Sequence, residues 1–475
     1  MSELEKSDLI ARLIDIVGAK AVMTDTSDMA PYLEERRGLY VGRAAAIVMP
    51  AETSDVSKVM ALAHETNTVV VPQGGNTGLV GGQIPDVSGE AIILNLSRMT
   101  QVRGVDATNN TLSVDAGVTL AAAQDAAGDV GRLFPLSLAS EGTCQIGGNL
   151  STNAGGTAVL HYGNARDLVL GLEIVLADGR IWDGMRGLRK DNTGYDLKQI
   201  FLGAEGTLGV ITGAVLKLFP TPRSQATAYV AVPGPEQAVA LLRHVEGDCS
   251  GAVTSFELMP RIGIEFVMAH VPDTRDPLEA VSDWYVLIEL SSRAEGDELV
   301  GQLETSLSSA VDLGLISDAA IAQSAAQAAA FWQLREAMSE AQRPEGGSIK
   351  HDISVPVSKI ALFLERALQA VQKELPGIRP VPFGHLGDGN IHFNLSQPLG
   401  MESAAFLDQW GHFNEIVYGI VISLGGSISA EHGIGQLKRD EMASLKSDVE
   451  MELMRALKRT LDPKGILNPD KVVTV

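Results

Sequence analysis

Three dense glycine segments punctuate the first half of the chain, and any fold must find a use for them. They are residues 72–85 (PQGGNTGLVGGQIP), 140–156 (SEGTCQIGGNLSTNAGG) and 203–209 (GAEGTLG). Glycine has no Cβ, so it lets backbone N–H groups turn inward and approach a diphosphate closely. The Asn, Ser and Thr residues among the glycines add neutral donors. Each segment alone reads equally well as a set of turns. Three in one half, all mixed with or flanked by such donors, point to a diphosphate ligand. None fits G-x-G-x-x-G, so a Rossmann dinucleotide site is not supported.

Around these segments the pattern alternates strand and helix. Residues 44–49, 68–71, 91–96, 111–116, 169–176 and 209–218 read as strands. Residues 54–64 have helical spacing with Thr53 or Ser54 as cap, a helix starts at Thr119, and residues 8–18 form a helical lead. The sequence FPTPR after Leu218 breaks the periodicity. Beyond it, residues 226–232, 236–244 and 284–290 read as strand, helix and strand. Residues 318–341 form an alanine-rich helix, 349–355 a strand, and 357–374, 403–424 and 448–461 helices. At 475 residues, more than one domain is expected. The layout suggests two domains of similar size, split near residue 222.

The formal net charge is −22. That argues against nucleic acid and anionic membranes, both of which need basic footprints. An anionic substrate would then need its own local cations. No apolar run reaches membrane-spanning length, and the longest, residues 416–424, is half of it. The first residues lack a signal-peptide layout. Cys144 and Cys249 match neither a disulfide framework nor a metal motif, which suits a reducing, cytoplasmic setting.

The second half carries GHLGDGNIHFN (384–394) and SAEHGIG (429–435). His385 and His392 are seven apart, an odd offset that sends them to opposite faces of one strand. The turn at Gly387–Asn390 folds the segment back and can bring them together. With Glu431 they form two imidazoles and a carboxylate, a donor set suited to zinc or a similar cation. A polar turn with ordinary hydrogen bonds accounts for the residues equally well. Arg335 and Ser339 lie four apart in a helical stretch, and Lys350 alternates with apolar residues in the strand that follows. An isolated Arg of this kind is more often solvated surface.

Together the segments 72–85, 142–156 and KDNTGYDL (190–197) with GAEGTLG resemble the FAD-binding domain of the vanillyl-alcohol oxidase/para-cresol methylhydroxylase flavoproteins. Within them they resemble the D-lactate and D-2-hydroxyglutarate dehydrogenase branch, from about residue 40 onwards. The implied fold class is α+β: a two-subdomain FAD-binding domain plus an α+β cap domain with an antiparallel sheet. The resemblance implies cofactor contacts from Pro72, Gly74, Gly75, Asn76, Thr77, Gly78 and Leu79. It adds Ser140, Gly142, Gly147, Gly148, Thr152, Asn153, Gly155, Glu205 and Ile211, and it implies an FAD-binding domain at 1–222, a cap domain at 223–425 and a C-terminal segment, 426–475, that returns to the FAD domain and brings Asn468. Some members tether FAD through a histidine in the first loop. Gly74–Gly78 holds no His, Cys or Tyr, so FAD is expected to be noncovalent.

The resemblance further implies a metal at His385, His392 and Glu431, with His432 taking the substrate hydroxyl proton. Arg335, Ser339, Lys350, Asn394 and His432 become the substrate-binding set. Because a metal can hold the α-carboxylate, the extra cations favour a diacid: D-2-hydroxyglutarate, then D-malate. D-lactate, glycolate, or an alkyl-dihydroxyacetonephosphate synthase-like transfer are the alternatives, as is a noncatalytic flavin subunit of a larger complex. The expected electron acceptor is an electron-transfer flavoprotein or a quinone-linked carrier, since no nicotinamide site is visible. A homodimer is compatible with the sequence.

Overall fold

The computed structural model describes residues 2–249, 251–296 and 298–475. It divides into two units. One comprises Met1–Gly156, Gly163–Thr221 and Glu431–Val475, the other Thr157–Tyr162 and Pro222–Ala430.

Among its described residues the first unit holds two small sheets and a two-stranded pair of Phe219–Pro220 with Arg132–Leu133. In one, Ala46–Val48, Ile92–Asn95 and Val70–Gln73 pair in parallel, with Val22–Met23 antiparallel on the edge. Helix Thr53–Thr66 makes the crossover between Ala46–Val48 and Val70–Gln73, and ends on Asn67 in the left-handed conformation that closes many helices. Neither Thr53 nor Ser54 caps it: Glu52 occupies that position without a side-chain bond. The Thr53 hydroxyl lies in the first turn of the helix and donates to the Glu173 carboxylate at 2.5 Å. The second sheet is antiparallel, ordered Val102–Asp106, Thr111–Asp115, Val210–Lys217, Val169–Val175, Ile181–Gly184. Thr119 caps helix Leu120–Gly128 by accepting from the Ala122 amide. The lead helix starts earlier than its sequence suggests, at Glu3, because Ser2 and Glu5 form a capping box. At the other end of the chain, Leu467 bridges in parallel to Val70 and the Asn468 amide donates to the Val70 carbonyl at 2.8 Å. The C-terminal segment thus lies beside the strand that delivers the first glycine loop.

The second unit is built on an antiparallel sheet. Its order is Asp318–Ile321, Ser224–Val232, Trp284–Ser292, Val253–Pro260, Arg379–His385, Asn390–Ser396, Ser348–Ile349, with Asp352–Ser354 also on Asn390–Ser396. Strand residues alternate between two cores. Ala228, Val230, Phe256, Leu258, Ile391 and Phe393 face one with Leu241, Leu303 and Phe363. Tyr229, Ala231, Met259, Val381 and Phe383 face the other with Ile264, Phe331 and Leu334. Helices cover both faces, so central strands such as Ser224–Val232 are buried on both sides.

Three expectations change here. The stretch 318–341 is not one helix: Asp318–Ile321 pairs with Ser224–Val232 as an edge strand, and helix starts only after the Ser324 cap. The sheet edge offers backbone partners that outweigh alanine's modest helix preference. The strand 349–355 is interrupted at Lys350 and His351, although His351 O still accepts from Phe393 N, so the register holds. The helix 403–424 breaks at Asp408 into Ser403–Leu407 and Trp410–Ser423. Cys144 and Cys249 are buried and unpaired. Among the described residues no helix is long and apolar enough to cross a membrane.

Candidate functional site

In the first unit the three glycine segments converge on one short loop, residues 431–437. Gly156, ending the second segment, donates its amide to Glu431 Oε1 at 2.8 Å, and a Cβ on Gly155 would lie 2.6 Å from that oxygen. From the third segment, Glu205 accepts the Ile434 and Gly435 amides at 2.6 and 2.8 Å. From the first, the Val80 carbonyl accepts the Gln436 and Leu437 amides, and Gly81 O accepts Gln436 Nε2. Asn468 adds a tie by donating to Gly82 O and Glu205 O. His432 therefore sits in a loop fixed on both sides. Burial pushes the Glu205 carboxyl up to about 7, against the two amides and Lys438, which favour its charged form.

The glycines serve two different ends. A Cβ on Gly75 would run into the Thr143 carbonyl, and one on Gly147 would press on Ala116, so these let the segments pack. A Cβ on Gly148 or Gly142 would meet no protein atom within 4 Å. Their bare backbone is not demanded by the protein's own packing, which fits a cradle for a ligand. Gln145 Oε1 and Asn468 Oδ1 are buried without a hydrogen-bond partner, as polar groups meant for a ligand would be. The residues fit FAD.

Other expected contacts are held by the protein itself. Asn76 has φ 53° and donates to Pro31 O and Glu34 O, while Gln83 donates to its Oδ1. Thr152 Oγ1 donates to Gly148 O, Asn153 Oδ1 accepts from the Arg166 amide, and Leu79 O accepts from Arg37. Pro72 packs near Gly206, Gln83 near Gly78 and Gln145 near Gly74. Ser140 O accepts the Thr143 and Cys144 amides in a turn. Ile211 lies at a bulge in the central antiparallel strand, and Thr77 is half-buried in the first loop.

In the second unit the sheet register gathers the remaining candidates. His392 pairs with Phe383 across the hairpin and with Asp352 on its other side. Phe383 and His385 are two apart and share a face, so the turn brings His385 diagonally beside His392. Their ring centroids are 5.7 Å apart at 77°. Asn394 pairs with Val381, and the same register sets Lys350 beside it. Glu257 pairs with His385 on the next strand. One face thus changes along its length from apolar core to a polar group of Glu257, His385, His392, Asn394, Lys350 and Asp352. From the covering helices, Arg335 Nε donates to Glu257 at 2.7 Å with its guanidinium 4.9 Å from the Phe383 ring centre. Lys350 Nζ donates to Ser339 Oγ at 3.2 Å. Arg335 is 7% exposed, so it is buried rather than solvated.

His385 Nδ1 bonds Glu257 Oε1 at 2.7 Å. Burial works to raise the Glu257 pKa, but His385 and Arg335 outweigh it and hold the carboxyl at about 2. Two imidazoles on one face, one of them oriented by a carboxylate, fit a borderline divalent cation. Glu257 is absent from the sequence reading. Within VTSFELMP its only signal is a single charge, in a strand that proves buried along its whole length.

Residues 44–184 match the family described as FAD binding domain, and residues 221–472 that described as FAD linked oxidases, C-terminal domain. The chain belongs to the FAD-linked oxidases. The chain is 35% identical over 473 residues to "D-2-hydroxyglutarate dehydrogenase, mitochondrial" of Arabidopsis thaliana, covering 99% of this chain and 82% of that protein. It is 36% identical to a D-2-hydroxyglutarate–pyruvate transhydrogenase of Saccharomyces cerevisiae, over 94% and 90% of the two chains. With a D-2-hydroxyglutarate dehydrogenase of Xanthomonas citri it shares 33%, over 98% and 96%. Among solved structures, para-cresol methylhydroxylase aligns with TM-score 0.78 at 16% identity, over 100% and 98% of the chains. An alkyldihydroxyacetonephosphate synthase aligns at 0.73 and 18%, over 98% and 84%. At such identities the structures speak for the fold alone, which is that of the vanillyl-alcohol oxidase/para-cresol methylhydroxylase flavoproteins. This FAD-linked oxidase falls in the D-2-hydroxy acid dehydrogenase branch and is an FAD-dependent oxidoreductase of CH–OH donors.

Proposed function

We propose that this flavoenzyme oxidises D-2-hydroxyglutarate to its 2-oxo acid, with His432 taking the hydroxyl proton. The observation that carries the reading is the loop bearing His432, held by all three glycine segments that carry the FAD-domain resemblance. FAD, held noncovalently, supplies the acceptor for the C2 hydride. A divalent cation such as zinc, held by His385, His392 and Glu431, supplies the charge that acidifies the alcohol, whose pKa of roughly 16 is otherwise far above that of imidazole.

The chain's own residues do the rest. His432, with a reference pKa of ~6.5, is a competent base once the hydroxyl is acidified. Chain continuity supports Glu431 as the third ligand: the preceding Ala430 donates its amide to Asp352 O at 3.3 Å, and Asp352 is the register partner of His392. Arg335 and Lys350, with Ser339 and Asn394, bind the carboxylates and answer how a chain of net charge −22 accepts a dianion. The relatives named for D-2-hydroxyglutarate support that diacid over the diacid D-malate, and either over the monoacids D-lactate and glycolate. The synthase-like reading has only a shared fold behind it. Electrons leave to an electron-transfer flavoprotein or a quinone-linked carrier. Two buried unpaired cysteines support a reducing compartment such as the cytoplasm.

Anaerobic flavin bleaching with a panel of hydroxy acids tests this. D-2-Hydroxyglutarate should bleach fastest at lowest concentration, D-malate next, D-lactate and glycolate poorly, and the L-isomers not at all. Equal bleaching by D-lactate would remove the diacid assignment. Bleaching by none would remove the dehydrogenase reading for the isolated chain.

A further inference from the structure

We infer that Glu257 is a positioning residue: its carboxylate fixes which nitrogen of His385 binds metal and ties that imidazole to Arg335 of the substrate clamp. The inference rests on the metal reading proposed above.

The argument starts from register. Glu257 and His385 are direct partners on neighbouring antiparallel strands, so pairing alone points both side chains to one face. Other residues of Val253–Pro260 on that face, such as Met259, belong to the apolar core, and Glu257 is itself only 1% exposed. A buried carboxylate stabilises a fold poorly compared with an apolar residue of similar size, so packing gives no reason for one here. Its two oxygens are divided: Oε1 to His385 Nδ1 and Oε2 to Arg335 Nε, each at 2.7 Å. A carboxylate can only accept, so Nδ1 carries the proton and the lone pair lies on Nε2, the nitrogen then able to act as ligand. The same acceptor makes the imidazole a stronger donor to a cation. Arg335 is anchored by Nε, with its guanidinium carbon 4.9 Å over the centre of the Phe383 ring. One carboxylate therefore orients a metal ligand and a substrate cation together.

The test compares zinc binding by wild-type holoenzyme, Glu257→Gln and His385→Ala in competition with a chromophoric chelator, with FAD content and Tm read in parallel. Glu257→Gln should keep its FAD and bind its one tight zinc equivalent about 10- to 100-fold more weakly. Excess zinc should then restore most of kcat. A merely structural role would lower Tm and leave zinc affinity unchanged, and that result overturns the inference while the metal reading stands. If wild type holds no tight zinc, or His385→Ala binds it as well as wild type, the metal site falls and the inference with it. Should Glu257→Gln fail to fold because Arg335 is left buried without its partner, the double variant Glu257→Gln/Arg335→Met gives the same reading. It removes the stranded charge without touching either proposed histidine ligand.

Discussion

His432 has no rigid element of its own. It lies in a loop where Gly433 and Gly435 have φ of 80° and 52°, and its position is set by bonds on either side. Glu431 meets Gly156 before it, and Ile434 and Gly435 meet Glu205 after it. His432→Ala should therefore leave the loop and the yellow FAD in place but abolish flavin reduction by hydroxy acid, read by stopped-flow absorbance; an unchanged reduction rate would refute the base assignment. Glu205 contributes a pH dependence of stability. Burial raises its folded pKa to about 7 from 4.5, so between those values the folded state binds more protons than the unfolded one. Ionisation of this group should thus lower stability as pH rises from 4.5 to 7. Thermal unfolding of wild type against Glu205→Gln should show that loss in wild type alone, and parallel pH profiles would sink the assignment. Glu257 acts in a separate window. Its folded pKa of about 2 gives stability that is present above pH 4.5 and lost as pH falls below it.

At the scale of elements, helix Ile146–Ser151 separates cradle from packing. Its Gly147 is pressed against Ala116 and has no room for a side chain, whereas Gly148 has open space. Alanine in a helix is favoured over glycine by about 0.5–1 kcal/mol, so Gly148→Ala should leave flavin-free stability equal or raised. If the bare backbone faces the cofactor, the same change should increase FAD dissociation at least tenfold, as measured by flavin fluorescence on dilution. FAD retained as in wild type would place the cradle elsewhere. The hairpin Arg379–His385 to Asn390–Ser396 has a comparable division of labour. Gly384 and Gly389 have no room for a side chain, and the turn they shape turns an odd sequence offset into a shared face for His385 and His392.

Over the whole molecule the balance of charge is strongly acidic, yet one face of the larger sheet and the helices over it hold Arg335, Lys350, His385 and His392 together. Arg335 and Lys350 are the cations of this partly buried region, where Glu257 already pairs with Arg335 and His385, and a metal held by the neutral imidazoles would add the positive charge that an anion needs there. If a metal completes that region, prolonged dialysis against a chelator should abolish reduction of the flavin by D-2-hydroxyglutarate while FAD stays bound. Zinc should restore it. Full activity after metal removal, verified by elemental analysis, would exclude the cation from the reaction.

The sequence by itself determined what depends on neighbours along the chain. The glycine segments, the helix start at Thr119, the break after Leu218 and the turn at Gly387–Asn390 are all local backbone preferences; they gave strand–helix alternation and a diphosphate ligand, while the α+β class and the flavin came from the family resemblance that these segments carry. Tertiary structure decided the rest. Residues 318–321 became a strand because a sheet edge was available, and the Thr53 hydroxyl bonds Glu173, 120 residues away. Asn76 holds its loop by reaching back to Pro31 and Glu34. Glu257 met partners 78 and 128 residues away. Such contacts follow from strand register and close packing, which bring together residues that no local pattern relates.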